Sequence, residues 1–528
     1  MRVKKKPAVA APPPSAAHPL TPGLRRYLYV TAAITGAAIL VVEILGAKML
    51  SPYLGTSHFV WTAQIAVTLV ALACGYYAGG LLVERTLRLG RLYGAIIVAG
   101  VYLALTVAVR EPVAYACLGA NLAIGALLAS AILFFIPLAL LAMVGPFFIR
   151  VLTVNVSAVG GNVGRLSSIS TLGSFAGTVL IGYVLIPHLP NSVTMYLTSL
   201  VLLGVAGFYY AVWGRKSGGV AGPAVMIAVG IAVGTLALRA DHWPGHQTDE
   251  LFRGNSNFGQ LQVIQLKNSP RRFYLNDYLT QNTYDTNAAQ SASMFTYMLH
   301  GLARAYAPQV EDVLCIGLGV GIVPMQFARE GSRVDVVEIN PAVVPVGQRF
   351  FGLEPDKLHI TIGDGRYFVN RAQKKYDAIV LDAFLGDSCP SHLMTREAFT
   401  AMRRVLKPAG VLVINTFGDF EPGEDFFTAS LHKTLTNVFP GVRIHAGESG
   451  NTLFVAGNQP ELRFAHAPDY SNVFQQVRGQ VKEAFESLRD VNPDSGRILT
   501  DDFNSVEFHD AANRERLRHN LAQDVRRL

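Results

Sequence analysis

Apolar runs dominate the first 240 positions. Seven are long enough for a helix across a bilayer, which needs about 20 residues: 27–49, 60–83, 91–109, 121–149, 167–187, 193–213 and 220–238. The fourth is ambiguous at its start, because apolar sequence resumes near Pro112. It reads either as one long tilted span or as a short helix and a span. The first run is too long for a cleavable signal peptide, and many like it follow. The pattern changes abruptly near Asp241. "FGQLQVIQL" (258–266) alternates and "RRFYLND" (271–277) follows the turn "KNSP", which predicts a small β-hairpin region. A helix is expected over 288–306. Apolar strands are expected at 312–317, 333–340, 358–365, 376–384 and 410–417, separated by amphipathic helices such as 395–406. That alternation predicts a doubly wound parallel sheet. The expected organisation is a tail at 1–22, an α-helical transmembrane bundle at 23–240, a small β subdomain with its linking helix at 241–310, and an α/β Rossmann-like domain at 311–528.

Composition sharpens this picture in three places. With 51% hydrophobic and 16% charged residues in 528, the apolar excess belongs to the first half. The first 22 residues are mostly Lys, Ala and Pro, which cannot build a core and predict a disordered tail. The net charge of +8 flanks the spans, so it reads as a topology signal and no nucleic-acid partner is expected. Four cysteines make no disulfide framework: Cys74 and Cys117 fall in or beside spans, Cys315 in a strand and Cys389 in a loop near the expected site. No CxxC or His cluster indicates a metal, and none is expected.

The charge pattern also bears on orientation. Lys and Arg crowd the N-terminus and recur at 83–91, around Arg150 and Arg165, and at 214–217, whereas 51–59 and 188–192 have none. This expects a multi-pass protein of the cell (inner) membrane, embedded in the lipid bilayer, with a cytoplasmic N-terminus. Seven spans then put the C-terminal domain outside. An enzyme using an intracellular nucleoside wants the opposite, so the side of that domain stays open at this point. Glu43 and Lys48 sit in or at the end of the first span, where ionisable residues are functional candidates. Snorkelling is the better account of Lys48, and pairing inside the bundle accounts equally well for Glu43. The small residues of "GSFAG" (173–177) suit close helix packing.

Ligands of such sheets bind beyond the carboxyl ends of the strands. Gly317, Gly319 and Gly321 lie there, where a backbone can turn tightly and approach a ligand. Glu338 follows where a carboxylate can accept from both ribose hydroxyls. Asp364 and Gly365 end the third strand, where an adenine edge could be read, and Asp382 ends the fourth. Position 322 is Ile, so the third glycine of a dinucleotide loop is missing. A nucleoside carrying a sulfonium fits this loop better than NAD.

With these residues in view, positions 255–420 resemble the polyamine aminopropyltransferases, the spermidine synthase family. The whole chain resembles its membrane-fused bacterial branch, through 49–80, "LSSISTLGSFAGTVLIGYVLIP" (166–187) and "LTDDFNSVE" (499–507). The resemblance implies a class I methyltransferase-like fold and no prosthetic group. It implies decarboxylated S-adenosylmethionine as co-substrate, putrescine or another polyamine as acceptor, and methylthioadenosine as product. Homo-oligomers are common in the family. By the same resemblance Glu338 binds the ribose, Asp364 and Gly365 the adenine, and Asp382 accepts the proton of the attacking amine. Asp277 and Gln281 match the stretch before the substrate loop.

The chain departs from the family in its amine half. Val320 stands where the family commonly has an aspartate that grips the donor's ammonium. Phe295, Thr296 and Tyr297 replace a tyrosine-histidine-glutamate stretch. The family's donor-side glutamine falls at Gly259, with Gln260 beside it. Buried cations need carboxylate or aromatic partners, and the candidates are Asp387, Asp285, Asp501, Asp502 and Tyr284. Three readings follow: a membrane-anchored aminopropyltransferase, an S-adenosylmethionine-dependent methyltransferase, and a non-enzymatic polyamine sensor or transporter.

Overall fold

The computed structural model describes residues 20–55, 57–153, 159–214, 220–240, 247–384, 390–447 and 450–505. Nearly all of the basic tail, and both Asp387 and Cys389, lie outside the described residues. Among the described residues, seven helices are long and apolar enough to cross a membrane: α1 (Pro22–Leu54), α2 (His58–Arg85), α3 (Leu89–Cys117), α4 (Leu122–Leu152), α5 (Val159–His188), α6 (Asn191–Val212) and α7 (Ala221–Ala240). The ambiguous stretch near Pro112 belongs to the end of α3, not to α4. Inside α4 a π-helical turn at Ala131–Phe135 precedes Pro137. A proline leaves the carbonyl four residues earlier without its helical donor. Here that carbonyl, Leu133 O, accepts from Thr106 Oγ1 of α3 at 3.2 Å.

The "GSFAG" residues bring α5 against α1. A Cβ on Gly173 would collide with the Ala33 backbone, and one on Gly177 would come within 2.8 Å of Ala37. Large apolar side chains on the opposite side of α5, including Leu172, Phe175 and Tyr183, point outward and are exposed. An outer surface of this kind suits lipid.

After α7 come two sheets. The first is antiparallel in the order β1 (Thr248–Ser256), β2 (Gly259–Leu266), β3 (Arg271–Asn276), β4 (Leu279–Asp285), β5 (Gln290–Ser291). It is larger than the expected hairpin. The short β5 also takes up the start of the helix expected at 288, so α8 runs only over Met294–Tyr306.

The second sheet contains β6 (Asp312–Ile316), β7 (Arg333–Glu338), β8 (His359–Ile362), β9 (Tyr376–Leu381), β10 (Leu406–Phe417), β11 (Gly441–Ala446) and β12 (Asn451–Gly457). Their order is β11-β12-β10-β9-β6-β7-β8. The expected all-parallel sheet is corrected here: β12 runs antiparallel to both β10 and β11, so the sheet is mixed. The period-2 alternation of its strands feeds two cores. Val313, Cys315, Val380, Val413 and Val455 pack with α8, while Leu314, Ile316, Leu381, Ile414 and Phe454 pack on the other face.

Further helices on this domain are α9 (Ile322–Arg329), α10 (Val343–Phe350), α11 (Gly365–Arg371), α12 (Arg396–Val405), α13 (Phe426–Val438) and α14 (Arg478–Glu486). At the amino end of the sheet, Arg333 and Lys407 pair with Asp312, and Lys407 also with Asp377. The carboxyl end carries a cavity.

Two turns of the antiparallel sheet meet the helix bundle. Asn255 Nδ2 reaches Ile186 O, Leu189 O and Asn191 Oδ1 at 3.1, 3.0 and 3.2 Å. Lys48 Nζ donates to Asn257 O at 3.3 Å, and the Tyr53 and Tyr278 rings lie 5.7 Å apart. Lys48 therefore reaches into the contact with the soluble half.

Candidate active site

A cavity of about 360 Å3 opens over the carboxyl ends of β6, β7, β8 and β9. Its shape begins with three left-handed glycines. Gly317 (φ +100°), Gly319 (φ +55°) and Gly321 (φ +88°) take the chain from β6 into α9 through a conformation that side chains disfavour. Gly317 and Gly319 line the cavity, whereas Gly321 caps α9 and faces Leu353, which a Cβ would approach to 2.6 Å.

Glu338, at the end of β7, is buried and lines the cavity. Its Oε2 accepts from Leu318 N at 2.9 Å and its Oε1 from Asn340 N at 2.7 Å. Burial pushes its pKa up, and these backbone donors counter that shift. The fold thus fixes both oxygens and leaves each with further acceptor capacity.

Asp364 caps α11, with Oδ1 accepting from Tyr367 N at 2.8 Å and Oδ2 lying 2.9 Å from His392 Nε2. Burial alone would raise its pKa, but the Tyr367 amide and His392 outweigh it and hold the carboxyl below its usual value. Gly365 lets α11 start against Ile316, whose Cγ2 a Cβ would approach to 2.5 Å.

Asp382 follows β9 and lines the cavity floor. Burial pushes its pKa up to about 6, against the lowering effect of a hydrogen bond from Asn415. Asn415 Nδ2 donates to Asp382 Oδ1 at 2.9 Å, and Asn451 Nδ2 donates to Asn415 Oδ1 at 3.0 Å. The reversed strand β12 delivers Asn451, so the sheet's mixed topology completes this chain of amides. Neither asparagine, nor His392, was singled out by the sequence. Their only signal was polarity at strand ends or in a loop.

The other candidates divide. Gln281 lines the cavity with Thr280 and Asn282. A bulge in β4 explains three consecutive residues reaching it: Asn282 pairs with Tyr274 and Thr280 with Leu275, leaving Gln281 as the extra residue. Asp277 does not line the cavity. It sits in the β3–β4 turn at φ +48°, where its Oδ1 accepts from Gln260 N at 2.9 Å. Gln260 is likewise outside the lining, and Phe258 takes that edge.

Tyr284 belongs to a separate cavity, edge-on to Phe351 at 5.8 Å. Phe295 lines the first cavity, but Thr296 and Tyr297 are buried and bond to Ser293 O and Ser291 O. Asp285 caps a turn through Asn287 N and Ala288 N, and Asp501 pairs with Arg366. Asp502 is exposed. Val320 faces away from the cavity, into an apolar cluster with Leu261, Tyr274 and Phe351. Among the described lining residues, three carboxylates, one imidazole and the Tyr274 phenol are the ionisable groups, with no Lys or Arg. That surface favours a cationic ligand.

Comparison with known proteins agrees with this chemistry. The spermine/spermidine synthase domain matches residues 293–445. A polyamine aminopropyltransferase of Vibrio vulnificus is 33% identical over 229 residues, covering 40% of this chain and 75% of that one. An N-terminal histidine N-methyltransferase of Emericella nidulans is 34% identical over 179 residues, covering 33% of this chain and 29% of its own. A solved spermidine synthase of Thermotoga maritima has a TM-score of 0.35 and 20% identity, over 40% of this chain and 74% of that one. The chain belongs to the polyamine aminopropyltransferase family. It is therefore an enzyme of the aminopropyltransferase class, whose co-substrate is decarboxylated S-adenosylmethionine.

Proposed function

We propose that this chain is a membrane-anchored aminopropyltransferase that moves the aminopropyl group of decarboxylated S-adenosylmethionine to putrescine or a related amine. The observation that carries this reading is Asp382, half-buried in the lining of the cavity that Glu338 and Asp364 also line, with a carboxyl whose pKa burial pushes up to about 6. An ammonium has no lone pair and must lose a proton to attack. Asp382 takes that proton. The amine nitrogen then bonds to the carbon next to the sulfonium, the C–S bond breaks, and its electron pair returns to sulfur. The products are a lengthened amine and neutral methylthioadenosine. Glu338 holds the ribose hydroxyls, and Asp364 with Gly365 reads the adenine. Gln281 faces the acceptor.

The direct test is mass spectrometry of the detergent-purified chain with decarboxylated S-adenosylmethionine and a panel of diamines, with intact S-adenosylmethionine in parallel. Methylthioadenosine and an aminopropylated amine support the reading. A methylated amine instead would favour methyl transfer, which Val320 motivates: its side chain offers no anion to the donor's ammonium. In a second measurement, Glu338→Gln is expected to weaken methylthioadenosine binding about 30- to 100-fold, the equivalent of about 2–3 kcal/mol for a charge-assisted hydrogen bond. Titration calorimetry would read it, and unchanged affinity would remove Glu338 from the ribose site.

We place the soluble half on the non-cytoplasmic side. α1 starts on the face of the bundle opposite the one that meets Asn257 and Tyr278. On that starting face lie Arg25, Arg26, Arg85, Arg88, Arg91 and Arg150, the pattern of a cytoplasmic surface. Protease added to spheroplasts of an expression host should digest the C-terminal half. Protection until lysis would reverse the assignment.

A further inference from the structure

The helix bundle contains a polar site that the transferase reading leaves unused. Glu43 lies within α1, half-buried in apolar surroundings. Among the described residues it has neither a hydrogen bond nor an ion pair. One turn further on the same face is Gly46. The absence of a side chain there makes room for the Gln64 amide of α2: a Cβ on Gly46 would lie 2.7 Å from Gln64 Nε2 and 3.0 Å from Oε1. Gln64 is fully buried, and both its Nε2 and its Oε1 lack partners among the described residues.

Neighbouring hydroxyls behave differently. Thr35 Oγ1 donates to Thr31 O and Thr68 Oγ1 to Gln64 O, each at 2.9 Å, closing onto their own helices. A carboxylate and a buried amide without partners, the amide packed on the glycine one turn along from the carboxylate, are both expensive to leave unmatched in an apolar bundle.

We infer that Glu43 and the Gln64 amide form a binding site for a protonated primary amine inside the bundle. A carboxylate supplies the counter-charge, and the amide oxygen accepts an ammonium N–H. One carboxylate and one amide are too few oxygens for Ca2+, which takes 6–8.

The position supports an amine over other cations. Glu43 is five residues, about 8 Å of helix rise, from Lys48. Lys48 in turn holds the β1–β2 turn through Asn257 O. That turn reaches the cavity directly: Phe258 lines it, and Ser256 Oγ accepts from Asn340 Nδ2 at 3.1 Å, two residues after Glu338. An amine held at Glu43 therefore sits beneath the site that consumes or releases amines. The choice of an amine rests on the transferase reading above; the unpartnered pair does not.

The test is equilibrium binding of radiolabelled putrescine to the full-length chain in detergent, with turnover measured on the same preparations. The unaltered chain should bind two amines. Glu43→Gln should bind one and keep turnover within about twofold. Gln64→Leu, similar in volume, should weaken the second site about tenfold. Because the two substitutions lie on different helices, a folding defect in one leaves the other informative. Turnover together with a single amine site untouched by either substitution would overturn the inference and leave the transferase reading standing. Two amine sites, one lost in Glu43→Gln, in a chain with no turnover would do the reverse.

Discussion

Asp382→Asn is expected to slow turnover by about 10³-fold while methylthioadenosine still binds, because positioned general bases contribute about 10²- to 10⁴-fold. Asn fills the same space and can still face Asn415 and Asn451, so the cavity floor should persist. What disappears is the acceptor for the amine's proton. The pH dependence carries the same signature. Burial pushes the Asp382 pKa up to about 6, and the active form is the ionised one. kcat/KM should therefore rise as pH increases through about 6 and level off above it, as far as this group is concerned. Below that pH the carboxyl is protonated and cannot accept. Asn415 donates to the ionised form and holds the pKa down, so Asn415→Ala should move the acidic limb to higher pH. Initial rates across pH 5–8 on the three proteins would show it. A limb that stays in place in Asp382→Asn would assign the proton to another group.

The second large effect is expected of Gly317→Ala. At φ +100° an L side chain is strained wherever it stands, by about 1–2 kcal/mol. Here the added Cβ would also be driven into the Asp382 carbonyl oxygen. β6 and β9 are neighbours, with Asp382 N donating to Ile316 O at 2.9 Å. Relief requires these strand ends to part, which moves the cavity floor and the proton acceptor together. The total loss should reach about 4 kcal/mol or more, the range of severe backbone and packing defects. Gly331→Ala is the control. It has a similar φ, +90°, but nothing within 4 Å of the added carbon, so it should show only the backbone strain. Thermal unfolding midpoints and methylthioadenosine binding on both variants would separate the two. Equal midpoints would mean the Asp382 carbonyl yields easily.

These two predictions differ in how they could be found. Asp382 stands at the end of an apolar strand in "YDAIVLDAF", where strand, end and carboxylate are all local features. Gly317 belongs to a turn between a strand and a helix, again local. The spans were legible for a similar reason, since twenty apolar residues state their environment without reference to partners. The "GSFAG" packing was legible because small side chains permit only close approach.

Other features depended on who pairs with whom. Tyr284 lies three residues after Gln281, yet it falls in another cavity, because the bulge at Gln281 lets only 280–282 reach the first one. Val320 occupies a loop position that reads as ligand-facing, but the small sheet covers it with Leu261 and Tyr274. Nothing in the alternation of 451–457 shows that this strand runs backwards between β10 and β11.

By itself, then, the sequence determined the elements and the chemistry at their ends: apolar length, period-2 alternation, glycine turns, and carboxylates where strands stop. Only the tertiary structure decided strand order and direction, the bulge, the Asn451–Asn415–Asp382 chain, and the meeting of Gln64 with Gly46 beside Glu43. The physical reason is range. Propensity and periodicity act between residues a few positions apart, whereas these side-chain contacts join residues 18 to 36 positions apart, and their energy appears only when the whole core closes.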